Sequence, residues 1–300
     1  MHDHEGIGDG LHDHRGALGR VMMLRDGRPP APEPLRVPVV DNHCHLDMGH
    51  GDNRFPVEDA LAEAADAGVP RIVQIGCDLP SARWTIEMIE RHDVLVGGVA
   101  IHPNEAPVLA RNPGALEDAW AQIDAMASHP RVRVVGETGL DFFRTGAAGL
   151  GAQEESFRRH IEMAKRHGKA LQIHDRDAHD DVLRILAEEG APERTVFHCF
   201  SGDAAMAMTC VERGYLLSFA GTVTFKNAGR LRAALAVTPL EHLLVETDAP
   251  FLTPTPYRGR PNASYLVPLT VRVMAQVKGV TEDEMAGAVA ATTTRVYGEW

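Results

Sequence analysis

The chain has 300 residues, of which 44% are hydrophobic, 24% charged and 5% aromatic, the make-up of a globular protein long enough for one barrel-sized core. Its formal charge of −12 excludes a protein that coats nucleic acid by bulk electrostatics, although bound cations can still attract a polyanion locally. No apolar run approaches the roughly 20 residues that cross a bilayer, the start lacks the parts of an export signal, and the four cysteines form no CxxC pair, so a cytoplasmic protein without membrane contact is expected.

Residues 1–36 lack periodicity and read as a flexible His/Pro-rich tail that stiffens into the "RPPAPEPLRVP" stretch. Its two "HDH" repeats, at 2–4 and 12–14, are read as solvated rather than metal-holding, because flexible ligands carry an ordering cost. From residue 37 to 300 one domain is expected. Short apolar runs at 37–40, 71–75, 94–99, 132–135, 170–173, 195–197, 215–218 and 242–245 predict eight strands. Helical spacing fills the intervals at 57–68, 152–168 and 181–190, each closed by a glycine, and a last helix starts at the capping box Thr281–Glu284. Strand and helix alternating eight times predict an α/β fold, the (β/α)8 TIM barrel. An open doubly wound sheet fits less well because no GxGxxG follows the first run.

The active site of such a barrel lies at the C-terminal ends of its strands. There the first run delivers His43 and His45, the fourth Glu137, the fifth His174, the sixth His198 and the eighth Asp248. Residues two apart on a strand share a side, so His43 and His45 both face the axis and Cys44 does not. Any one histidine is more simply a satisfied core group, but four imidazoles and two carboxylates at matching strand ends point to metal. Six ligands suit two metals sharing a carboxylate, and N/O donors without thiolate suit catalytic Zn²⁺, Mn²⁺, Fe²⁺, Co²⁺ or Ni²⁺. Mg²⁺ also stays on the list of candidate ions. His102 and Arg176 stand at the same barrel face and are candidates for substrate contact, with loop capping and pairing to Asp175 or Asp177 as the plainer alternatives. Arg258 and Arg260 read as exposed loop residues.

The stretches "DNHCHLD" (41–47), "IHP" (101–103), "GETGLDFF" (136–143), "QEESF" (153–157), "IHDRDA" (173–178), "HCFSG" (198–202), "GTVTFKNA" (221–228) and "VETDAPFLTP" (245–254) together resemble the TatD family of metal-dependent deoxyribonucleases, among the amidohydrolase-like TIM-barrel hydrolases. The resemblance runs over residues 37–298. It implies a first metal on His43, His45, Glu137 and Asp248 and a second on Glu137, His174 and His198, with Glu137 as the bridge. Departures are Asn104 where the family usually has a histidine, Asp175 where a small residue often stands, "PNASY" at 261–265 and "TTTRVYG" in the last helix. All lie outside the ligand set.

The expected reaction is metal-assisted phosphodiester hydrolysis, with Asp248 as proton acceptor and Glu137 bridging. By resemblance the substrate is DNA, or RNA, trimmed from a 3′ single-stranded end, with no obligate protein partner evident. The low aromatic content predicts few stacking platforms, hence weak binding and little sequence preference. Two alternatives use the same residues: a dinuclear esterase or amidase such as a D-aminoacyl-tRNA deacylase, and a barrel that only binds nucleic acid. The second would show a lost ligand, and none is lost.

Overall fold

In the computed structural model, residues 27–49, 51 and 54–300 are described. Eight parallel strands pair in chain order, each with the next: β1 (Val40–Cys44), β2 (Arg71–Gly76), β3 (Leu95–Val99), β4 (Val132–Asp141), β5 (Ala170–Arg176), β6 (Thr195–Phe197), β7 (Leu216–Phe219) and β8 (Leu243–Val245). The chain beyond β8 returns to β1, where the Asp248 N–H donates to the His43 carbonyl at 2.9 Å and the His45 N–H to the Ala249 carbonyl at 2.8 Å. The helices lie outside, giving the TIM barrel that the alternating pattern predicts.

Two-residue periodicity sorts each strand. Val73 and Ile75 of β2 and Val134 of β4 meet Val40, Val96, Val196, Leu216 and Leu244 inside the barrel. Their neighbours Ile72 and Val135 belong instead to the apolar layer under the helices. The last helix, Glu282–Tyr297, starts on the Thr281–Glu284 capping box and contributes Val296 and Tyr297 to the inner cluster. The Tyr297 hydroxyl accepts from Gln172 Nε2 at 2.7 Å, which places a buried polar layer above the apolar one.

Three differences from the sequence reading bear on the site. β1 begins at Val40, not Val37: Pro38 has no N–H for a ladder, and the strand is made of the buried polar residues Asp41, Asn42 and His43. β4 and β5 run past their apolar runs to Asp141 and Arg176. Their register shifts between Val135 and Thr138, so a bulge carries Glu137, a common device for re-aiming a side chain. At Gly139 (φ +140°) an added Cβ would lie 2.0 Å from the His174 carbonyl, so only glycine lets β4 come this close to β5.

Of the predicted tail, residues 1–26 with both HDH repeats lie outside the described residues. Residues 27–36 lie along the barrel: Leu35 is buried, its N–H donates to the Ala67 carbonyl at 3.0 Å, and the Tyr265 hydroxyl donates to the Pro29 carbonyl at 2.5 Å. Among the described residues no helix is long and apolar enough to cross a membrane.

Candidate metal centre

The six predicted ligands meet at the C-terminal mouth. His43 Nε2 lies 3.3 Å from His45 Nε2 and 3.5 Å from both Glu137 Oε1 and Asp248 Oδ1, while His45 Nε2 lies 3.3 Å from each of those oxygens. Around a tetrahedral ion with bonds of about 2.0–2.1 Å, ligand atoms stand about 3.3–3.4 Å apart. The four donors therefore already have the spacing that such an ion requires. The other Glu137 oxygen, Oε2, faces His174 Nδ1 and His198 Nε2, each at 3.0 Å, and His102 Nε2 at 3.4 Å. One carboxylate thus turns an oxygen to each of two donor clusters.

The outward ring nitrogens decide what the inward ones can do. His45 Nδ1–H donates to the Ile75 carbonyl at 3.0 Å, His198 Nδ1–H to Glu246 Oε1 at 3.0 Å and His174 Nε2–H to Asp141 Oδ2 at 3.0 Å. His43 Nδ1–H donates to Gln172 Oε1 at 2.6 Å, an assignment fixed because Gln172 Nε2 donates to the Asn42 carbonyl and to Tyr297 Oη. Each of these partners is an acceptor, so each neutral ring turns a lone pair inward, as a metal ligand must.

His102 is wired the opposite way. Its Nδ1 accepts the Asn104 backbone N–H at 3.0 Å, so the neutral ring carries its proton on Nε2, aimed at Glu137 Oε2. Burial pushes this imidazole down, and the neighbouring His174 and His198 add to that effect against the pull of Glu137, which favours the neutral form. His102 enters the second cluster as a hydrogen-bond donor, although its distance alone would group it with Glu137 and His174.

Electrostatics follow the same wiring. Burial alone would raise the Glu137 carboxyl, but the imidazoles of His198, His102 and His174 hold it well below the usual range. Burial opposes charge on His198, yet Glu137 and Glu246 push its imidazole well up in the metal-free protein. Protons and metal therefore compete for the inward nitrogens, and metal affinity rises with pH.

Asp141, Glu246 and Gln172, which orient the ligands, were missed by reading strand ends. Glu246 stands two residues before Asp248 and Asp141 closes "GETGLD", so the motifs contained them but periodicity gave them no role. Asn104, in the place of a usual histidine, donates from Nδ2 to Asp141 Oδ2 at 3.1 Å and so supports the same orientation. Asp175 accepts from His179 Nδ1 at 2.7 Å and does not pair with Arg176. The Arg176 guanidinium lies 3.9 Å over the Phe143 ring and makes no ion pair among the described residues. Glu246 is fully buried, its Oε1 holds His198, and its Oε2 has no partner among the described residues. Glu246→Gln should weaken metal binding about 10- to 100-fold, measured by chelator competition, and unchanged affinity would remove this role.

A parallel barrel with this donor set at its mouth defines a metal-dependent hydrolase with candidate dinuclear sites. The profile of the family described as TatD related DNase matches residues 40–298. The chain belongs to the TatD family of metal-dependent hydrolases. It is 44% identical to an uncharacterized metal-dependent hydrolase, TatD, of Mycobacterium tuberculosis over 264 residues, 87% of this chain and 98% of that one. It is 35% identical to the uncharacterized metal-dependent hydrolase YabD of Bacillus subtilis, over 86% of this chain and 98% of the relative. Among solved structures, the TatD homolog YjjV from Escherichia coli superposes with a TM-score of 0.79 at 27% identity, over 87% of this chain and 98% of that one.

Proposed function

We propose that the chain is a deoxyribonuclease that hydrolyses phosphodiester bonds, removing nucleotides from the 3′ end of single-stranded DNA, with RNA as a second substrate. The observation that carries this reading is Glu137 offering one oxygen to each of two clusters of inward lone pairs, an arrangement suited to clamping a phosphate. The residues fit two divalent cations in donor type and tautomer, and the first cluster fits in spacing as well. Divalent cations bound there supply Lewis acidity, which acidifies water and neutralises charge on phosphate oxygens.

The chain's own groups do the rest. The Asp248 side chain is 16% exposed, against 0% for His43, 3% for His45 and 5% for Glu137, so it is the open carboxylate of its cluster. Burial opposes its charge, but His45, His198 and His43 hold its carboxyl below the ordinary range. It is therefore ionised near neutrality and takes the proton of the attacking water. His102 Nε2–H donates to a non-bridging phosphate oxygen from the second cluster. Arg176, which makes no ion pair among the described residues, attracts the strand at the rim.

Protein stripped with chelator and given Zn²⁺, Mn²⁺ or Mg²⁺ separately should cut 3′- and 5′-labelled single-stranded DNA only with metal, in a ladder that recedes from the 3′ end. Absence of cleavage with every ion, alongside hydrolysis of aminoacyl esters, would overturn the nuclease reading in favour of an esterase at the same site.

A further inference from the structure

The largest exposed apolar side chains are not scattered. Phe143 is 64% and Phe251 50% exposed, the two highest values among the large hydrophobics described, and both stand on loops at the barrel mouth. Isolated exposed side chains need no explanation, but two aromatic rings bracketing one polar centre do.

Each ring is tied to the metal centre through its backbone. The Phe251 N–H donates to the Asp248 carbonyl at 2.9 Å, Asn262 Nδ2 donates to the Phe251 carbonyl at 2.6 Å, and the ring centroid lies 6.4 Å from that of His45. On the other flank, Asp141 holds His174 and also accepts the Arg144 N–H at 2.8 Å, closing a turn around Phe143. The Phe142 N–H is bound to the Arg176 carbonyl at 2.9 Å, and the Arg176 guanidinium covers one Phe143 face from 3.9 Å, leaving the other open. The same pairing recurs at the rim, where the Arg258 guanidinium lies 4.0 Å over Phe225.

We propose that Phe251 and Phe143 are base-stacking platforms for a single strand running across the mouth, Phe251 beside the first cluster and Phe143, backed by Arg176, beside the second. This rests on the nuclease reading and names how its substrate is gripped. Three features select a single-stranded nucleic acid as the occupant. Hydrogen bonds hold the backbone at each ring, so little backbone ordering cost attends binding. Their open faces suit any base, whereas a duplex keeps its faces stacked. Arg176, which makes no ion pair among the described residues, adds a positive charge where a backbone phosphate must pass, in a chain whose net charge is −12. The platforms also reverse the expectation of weak grip drawn from the low aromatic content. Few aromatics are present, but two stand where a base would lie.

The test compares binding of phosphorothioate thymidine strands with abasic strands of the same length, by fluorescence anisotropy on the metal-loaded protein. The wild type should bind the base-bearing strand about tenfold or more tightly per platform, and Phe143→Ala with Phe251→Ala should erase that preference. Tryptophan at both positions should restore it, which separates lost stacking from damaged folding. Equal binding of the two strands by the wild type, or a preference that survives in the double variant, would overturn the proposal. Since binding is read without cleavage, loss of the nuclease reading in the labelled-strand assay is a distinct result. A Phe-dependent preference without any cleavage would uphold the platforms and remove the reaction.

Discussion

Asp248→Asn should lower kcat about 10²- to 10⁴-fold on single-stranded DNA while the barrel stays folded. Asparagine is the informative replacement for two reasons. Asp248 sits at φ 55°, in the left-handed region that asparagine tolerates and most side chains do not, so backbone strain is not introduced. The amide also keeps an oxygen for His43 and His45 while removing the charge that takes up a proton. Circular dichroism should therefore change little and the second cluster should load as before, while the first cluster, having lost an anionic donor, binds its ion more weakly, so turnover is compared at saturating metal. Turnover within a few-fold of wild type would remove Asp248 as the proton acceptor and leave it a ligand only.

Glu137→Gln should reduce bound metal from two ions per chain to at most one, and metal affinity by more than about 100-fold, since partners one shell further out already cost 10- to 100-fold. The carboxylate serves His43 and His45 through Oε1 and His174 and His198 through Oε2. An amide has one acceptor oxygen, and its NH2 must face the other cluster with hydrogens where lone pairs are needed. Elemental analysis after dialysis against a chelator and reloading gives the stoichiometry directly. Two ions retained in the variant would show that Glu137 does not bridge. Turnover should fall with the metal, and adding excess ion should not restore it, because the missing donor is a geometric loss.

Both predictions depend on a site whose candidate donors were legible before the structure. His43, in β1, and His45, one residue past its end, were expected to share a side because successive side chains of an extended chain point to opposite faces. Glu137, His174, His198 and Asp248 followed from the rule that strand C-termini line one mouth, and the eight apolar runs gave the strand count. The resemblance to the family added the pairing of donors with metals; in the structure Glu137 Oε1 lies 3.3 Å from His45 and Oε2 lies 3.0 Å from His198.

The boundaries were less legible where burial is polar. Asp41, Asn42 and His43 do not read as a strand, yet they form β1, since its backbone pairs with β2 and its side chains are answered by Ser218, Thr247 and Gln172 from distant parts of the chain. Hydrophobic periodicity cannot register a core built from hydrogen bonds.

The sequence by itself determined the barrel class and which imidazoles and carboxylates stand at the strand ends as candidate donors, because period-two and period-3.6 patterns and donor types are local properties. Tertiary structure alone decided the rest: that the bulge turns Glu137 into both clusters, and that Ile75, Gln172, Asp141 and Glu246 make four histidines turn lone pairs inward. Each of these depends on which atoms from distant segments lie within hydrogen-bonding distance. Such contacts are set by closing the sheet on itself and not by the residues on either side in the chain.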